Sequence, residues 1–182
     1  MKTIFIILSL ISLLFLASSC PKKDGTPKNS NPQLPDATQT GANTFGCKIN
    51  GQIWVSTWTN SGPPVQAQYY KGYLSLAATK KVNSTVLQSI RWAYQPMYST
   101  GKYYFKSAPN GGSPGAQFAD YINTTCGSYS SNNQDSLSTY IIITKLDTAN
   151  RIVSGTFNLL FTSQGCDTLK ITDGRFDAKY DY

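Results

Sequence analysis

The stretch Thr139-Tyr140-Ile141-Ile142-Ile143-Thr144-Lys145-Leu146, followed by Asp147-Thr148-Ala149-Asn150 and then by Arg151-Ile152-Val153-Ser154-Gly155-Thr156-Phe157-Asn158-Leu159-Leu160-Phe161-Thr162-Ser163, decides the fold class. Its first part is dense in β-branched and aromatic residues, which fit a pleated, half-buried surface. The four residues after it are turn formers, because Asp and Asn side chains hydrogen-bond to nearby backbone. Beyond the turn the chain alternates, with Gly155, Phe157, Leu159 and Phe161 on one side. A period of two is the mark of a strand with one buried face. Residues 164–167 turn again, and residues 168–180 run back with Leu169 and Ile171 in one phase. Within that last run Asp173-Gly174 is the place for a β-bulge, since Gly inside a strand often marks one. Three such runs in succession predict an antiparallel meander.

The same period extends outward, and no stretch shows a convincing helical repeat. Thr44–Ile49 and Gln52–Val55 flank Asn50-Gly51, a two-residue hairpin signal whose turn positions need positive φ. Residues 73–79 read as a strand, as do residues 86–94, where Val86, Ile90, Trp92 and Tyr94 share a face. Residues 102–106 form a short aromatic strand and residues 117–123 a weaker one. Roughly eight to nine strands at intervals of about ten residues predict an all-β fold, an antiparallel β-sandwich or small β-barrel. A sandwich is the favoured form and a lipocalin-type barrel the alternative.

The N-terminus sets the compartment. Met1-Lys2-Thr3 is a basic start, residues 4–16 are apolar except for Ser9 and Ser12, and Ala17-Ser18-Ser19 is small. These are the three regions of a secretory signal peptide. The apolar run is shorter than the ~20 residues that span a bilayer. Cys20 follows at once, so Leu16-Ala17-Ser18-Ser19-Cys20 reads as a lipoprotein box, with Ala17 where Leu is commonest. Ordinary signal peptidase would accept Ala17 and Ser19 and cut the same bond, leaving Cys20 bare. Lipidated on Cys20, the chain would be held on a membrane, since each buried CH₂ contributes about 0.8 kcal/mol. Residues 21–42 are rich in Pro, Gly, Asn, Lys and Thr, with Leu34 as the one large apolar residue, and read as a flexible tether. The expected organisation is a signal peptide over 1–19, the lipidated cysteine and tether over 20–42, and a single all-β domain over 43–182.

The chain holds 16 Lys and Arg against nine acids, all of them Asp, for a formal charge of +7. No Lys/Arg run of five or more occurs and the compartment is extracytoplasmic, so nucleic acid is not the expected partner. Anionic lipid or polysaccharide at the envelope suits the charge better. Of the cysteines at 20, 47, 126 and 166, three remain if Cys20 is acylated, enough for one bridge in an oxidising compartment. Cys126 and Cys166 lie in loop-like surroundings and are the expected disulfide pair, whereas Cys47 sits in a strand pattern as a small buried hydrophobe. Ordinary cleavage would leave an even four.

Thr38-Gln39-Thr40-Gly41-Ala42-Asn43-Thr44-Phe45-Gly46-Cys47-Lys48-Ile49-Asn50-Gly51 resembles the opening of a family of small lipoproteins of Bacteroidetes-type bacteria, a domain of unknown function. Ile152-Val153-Ser154-Gly155-Thr156-Phe157 and Ile171-Thr172-Asp173-Gly174-Arg175-Phe176-Asp177 resemble its end. Residues 56–138 match in length and texture alone. The resemblance implies a lipid-anchored envelope protein and carries over no catalytic residues.

The absence of histidine removes Ser-His-Asp and Cys-His catalysis and every His-based metal site. Asp173 and Asp177, with Arg175 between them, are spaced to share one strand face; as a carboxylate pair they would make an Asp-based hydrolase, and as structure they are solvated surface charges. Gly111-Gly112-Ser113-Pro114-Gly115 lacks the Lys and the strand–helix setting of a phosphate loop. No cofactor and no metal are expected. The aromatic side chains are the suggestive feature: Trp58, in the polar loop 56–62, with Tyr69 and Tyr70, are candidate ligand contacts, while Trp54 and Trp92 read as core. The sequence thus points to a monomeric, lipid-anchored, non-enzymatic β domain of the cell envelope, at the outer membrane, binding a glycan or an envelope protein. The alternative is a structural or accessory subunit of an outer-membrane complex, and the Asp-based hydrolase is remote.

Overall fold

The computed structural model describes residues 33–57, 62–82, 87–105, 114–123, 125–131 and 137–182. The expected signal peptide, the expected lipidation site Cys20 and the candidate contact Trp58 lie outside them. Eleven strands and no helix occur among the described residues. In chain order they are β1 Thr44–Ile49, β2 Gln52–Val55, β3 Val65–Tyr70, β4 Tyr73–Lys81, β5 Leu87–Tyr94, β6 Gly101–Tyr104, β7 Gly115–Asp120, β8 Ser128–Ser130, β9 Tyr140–Asp147, β10 Ile152–Ser163 and β11 Cys166–Asp181. The all-β expectation holds, with two more strands than the upper expectation of nine. Those two are β3, where small Ala67 dilutes the apolar alternation, and β8, which is three residues long.

One group of strands runs β6-β9-β10-β11-β1-β2 and the other β3-β4-β5-β7-β8. Among the described residues they are continuous only where the end of β11 lies beside β3, pairing Tyr180 with Ala67 and Asp181 with Gln68. That pairing is parallel, so the sheet is mixed rather than wholly antiparallel. The strand order does not close on itself, which gives a sandwich rather than a barrel. Its interior is marked by rings from opposite layers: Trp92 of β5 meets Phe176 of β11 at 5.4 Å between centroids, and Tyr129 of β8 meets Phe161 of β10 at 6.3 Å. Phe45 sits between Phe157 at 4.8 Å and Trp54 at 5.8 Å. Trp54 and Trp92 are both buried, as are Phe157, Leu159 and Phe161 of the alternating strand.

The Asp173-Gly174 bulge is present. The register of β11 shifts there against both β1 and β10, and Asp173 has φ 53°. One inserted residue turns the odd-numbered inward phase of Leu169 and Ile171 into the even-numbered phase of Gly174, Phe176, Ala178 and Tyr180. Gly174 is required on the inward side, because a Cβ there would lie 2.6 Å from three Phe157 ring carbons. Asn50 and Gly51 both adopt the positive φ that their hairpin demands, at 47° and 85°.

The end of the stretch expected as a tether is not a free spacer. Pro35 packs over Gly46 and accepts a hydrogen bond from Arg175 Nη1 at 3.2 Å through its carbonyl. The Asp177 carboxylate accepts six hydrogen bonds: from Thr38 Oγ1 at 2.6 Å, Thr40 N at 2.9 Å, Thr40 Oγ1 at 3.3 Å, Gly41 N at 2.8 Å, Ala42 N at 3.1 Å and Ser154 Oγ at 2.7 Å. A segment poor in apolar residues is ordered here by polar groups converging on one buried charge. The folded unit therefore begins before residue 43, the expected boundary, and includes this strap.

Candidate functional site

Where the two layers separate at one end of the sandwich, they leave a cleft of about 490 Å³. The β1–β2 hairpin forms one wall. Its turn is fixed to β11 by two bonds, Asn50 N donating to Lys170 O at 2.8 Å and Lys170 N donating to Asn50 Oδ1 at 2.9 Å. The opposite wall comes from β5, β7 and the β7–β8 loop. Three connections hold the walls at a set distance. Trp54 Nε1 donates to Gln88 Oε1 at 2.9 Å, and Gln88 Nε2 donates to Asp120 Oδ2 at 2.8 Å, so a relay runs from β2 through β5 to β7. Tyr129 OH donates to Asp167 O at 3.0 Å. Cys126 and Cys166 form a disulfide with Cα atoms 5.7 Å apart, tying the β7–β8 loop to the β10–β11 turn.

The floor is apolar, with Trp54, Phe118, Tyr129 and Leu169, and the rim is polar, with Asn50, Gln52, Lys80, Asn123 and Asp167. This combination fixes an apolar body of a ligand while rim groups orient its polar atoms. Lys80 makes no ion pair among the described residues. The Cys47 thiol is free and buried. Burial pushes it up to about 12, with the Lys80 ammonium opposing, so it is a thiol and no nucleophile at neutral pH.

The sequence-derived candidates fall elsewhere. Tyr69 packs its ring on Tyr180 at 5.3 Å and donates to Met97 O at 3.0 Å, which makes it a structural side chain. Tyr70 is 57% exposed, with Lys71 Nζ 5.1 Å from its ring centroid, and belongs to the β3–β4 turn rather than to the cleft. Asp173 and Asp177 have separate partners. Lys48 Nζ lies 2.8 Å from Asp173 Oδ2, and its hydrogen bond and charge hold that carboxyl below the ordinary range. For Asp177 burial alone pushes the carboxyl up, but hydrogen bonds from Thr38, Ser154, Ala42 and Gly41 outweigh it and hold it well below that range. General acid catalysis by a carboxyl needs the opposite shift. Gln88, Asp120, Lys80 and Asn123 escaped the sequence reading. A signal existed for two of them: Gln88 shares the inward phase of Ile90 and Trp92, and Asp120 that of Ala116 and Phe118. A polar residue in an inward phase marks either a buried bond or a site. Among the described residues no group of three or more Cys or Asp side chains gathers as a metal site would require. Comparison of the chain with protein-family models, with curated proteins and with solved structures finds no match.

Proposed function

We propose that this chain is a lipid-anchored, non-enzymatic binding protein of the cell envelope, and that its ligand, a hydroxyl-rich compound of the glycan kind, sits in the inter-sheet cleft. The observation that carries the reading is the cleft's construction: an apolar floor with a polar rim, braced by the Trp54–Gln88–Asp120 relay and a disulfide. Such bracing fits a preformed site, which loses little entropy on binding. The Leu16–Cys20 box and the resemblance of both ends of the domain to small lipoproteins support the anchor.

Two measurements test it. Membrane fractionation should place the wild type with membranes and Cys20→Ala in the soluble fraction; a wild type that is soluble would remove the anchor. A glycan-array screen should return ligands whose affinity falls about tenfold in Lys80→Ala or Asn123→Ala, roughly 1.4 kcal/mol. A blank screen, or ligands indifferent to both changes, would remove the cleft as the site.

A further inference from the structure

We propose that the outer face of the β6-β9-β10-β11 layer is a second binding site, and that it takes an acidic polysaccharide chain. The proposal does not depend on the cleft. Strand pairing places Lys102 opposite Ile142, Ile142 opposite Thr156 and Thr156 opposite Arg175, so these four form one row across four strands. The next row holds Tyr104, Tyr140 and Asn158. With strands about 4.8 Å apart, the Cα atoms of Lys102 and Arg175 stand about 14 Å apart.

Each end of the row is a cation held in place by something other than a carboxylate. Lys102 Nζ lies 3.7 Å from the Tyr140 ring centroid and 4.9 Å from that of Tyr104. Arg175 is held by one guanidinium N–H on the Pro35 carbonyl, leaving its other donors available. Neither makes an ion pair among the described residues, and the Asp173 carboxylate, whose charge Arg175 also feels, is paired with Lys48 Nζ at 2.8 Å. Beside Arg175, and extending to Tyr140 whose ring carries Lys102, lies a depression of about 350 Å³, lined by Ala37 of the strap and by Tyr140, Thr156, Asn158, Asp173 and Arg175. Asn158 Nδ2 donates to the Tyr140 hydroxyl at 2.5 Å, which orients the amide and leaves its carbonyl open.

The chemistry of this set selects the ligand. Two separated cations ask for two separated anions on one molecule, and a guanidinium fork suits a carboxylate. The Thr156 hydroxyl and Asn158 amide between them suit sugar hydroxyls. A chain of uronate residues offers both kinds of group in line. A flat bilayer surface cannot reach the floor of a depression walled by the strap. The net positive charge adds long-range attraction for a polyanion.

The test is affinity electrophoresis of the full chain in gels containing polygalacturonate or alginate, beside neutral dextran and vesicles containing phosphatidylglycerol. Retardation is expected in the acidic polysaccharides alone, weakened at least tenfold by Arg175→Gln and by Lys102→Gln, partly restored in Arg175→Lys, and unchanged in Lys80→Ala of the cleft. Lys102 is exposed, so its variant keeps the test informative if Arg175→Gln disturbs the strap. Absence of retardation, equal retardation in dextran, or acidic retardation indifferent to both cation variants would overturn the proposal. So would vesicle binding lost in those variants without polysaccharide binding, which would assign the face to anionic lipid. Loss of cleft ligands in Lys80→Ala with intact polyuronate binding would separate the fates of the two sites.

Discussion

Replacing Asp177 by Asn removes a single charge at constant size and tests how the strap is held. The carboxylate is 1% exposed and serves three backbone N–H groups, those of Thr40, Gly41 and Ala42, besides three hydroxyl contacts. Asn offers one acceptor oxygen and one NH₂ group. With the NH₂ in the Oδ1 position, Gly41 N is left without an acceptor, and the Ser154 hydroxyl must rotate to accept instead. In the other orientation both Thr40 N and Ala42 N lose theirs. An orphaned buried donor costs about 1–3 kcal/mol, and the remaining bonds fall from the charged to the weaker neutral class. The expected loss is about 3 kcal/mol at pH 7, read from urea midpoints at unchanged m-value. The pH dependence has a definite sign. The folded carboxyl is held well below its ordinary 3.8, so its contribution is complete above that value and is lost progressively as pH falls from there toward the lower folded value. The gap between wild type and Asp177→Asn should therefore be flat from about pH 7 to 5 and narrow below about pH 4. A gap under about 0.5 kcal/mol at pH 7, or one that widens in acid, would refute the account.

Breaking the disulfide by Cys126→Ser with Cys166→Ser opens a loop of sequence separation 40, which corresponds to about 4 kcal/mol of unfolded-state entropy. Thermal unfolding with and without reductant should show that loss in the wild type and none in the double variant. Gly174→Ala drives a methyl to 2.6 Å from the Phe157 ring and should destabilise by about 2–3 kcal/mol, measured by denaturant titration. Ala at Gly51, where no atom lies within 4 Å, loses only the preference of that turn for positive φ and serves as the milder comparison.

The local features of this fold were legible because each is fixed by neighbours in sequence. Period two over residues 151–163, turn residues at 147–150, Asn50-Gly51 and the bulge at Asp173-Gly174 each express a preference within a few residues, and the structure shows all four. The pairing of Cys126 with Cys166 could be read from loop context on both sides of the bridge. Trp54 and Trp92 read as core and are buried. By contrast, no local pattern says whether a row of strands closes. Nor does one say where two groups of strands join, which here is one short contact, the parallel pairing of Tyr180-Asp181 with Ala67-Gln68, more than a hundred residues apart. The same holds for the strap, which looked like a spacer because its own residues cannot bury enough apolar surface. Its order comes from Asp177, between 135 and 139 residues away in the chain. The cleft relay likewise joins Trp54, Gln88 and Asp120 from three strands. Hydropathy records which face of a strand is buried. Which polar groups meet on burial is decided only when distant strands have packed, because a hydrogen bond depends on position in space and leaves no period in the sequence.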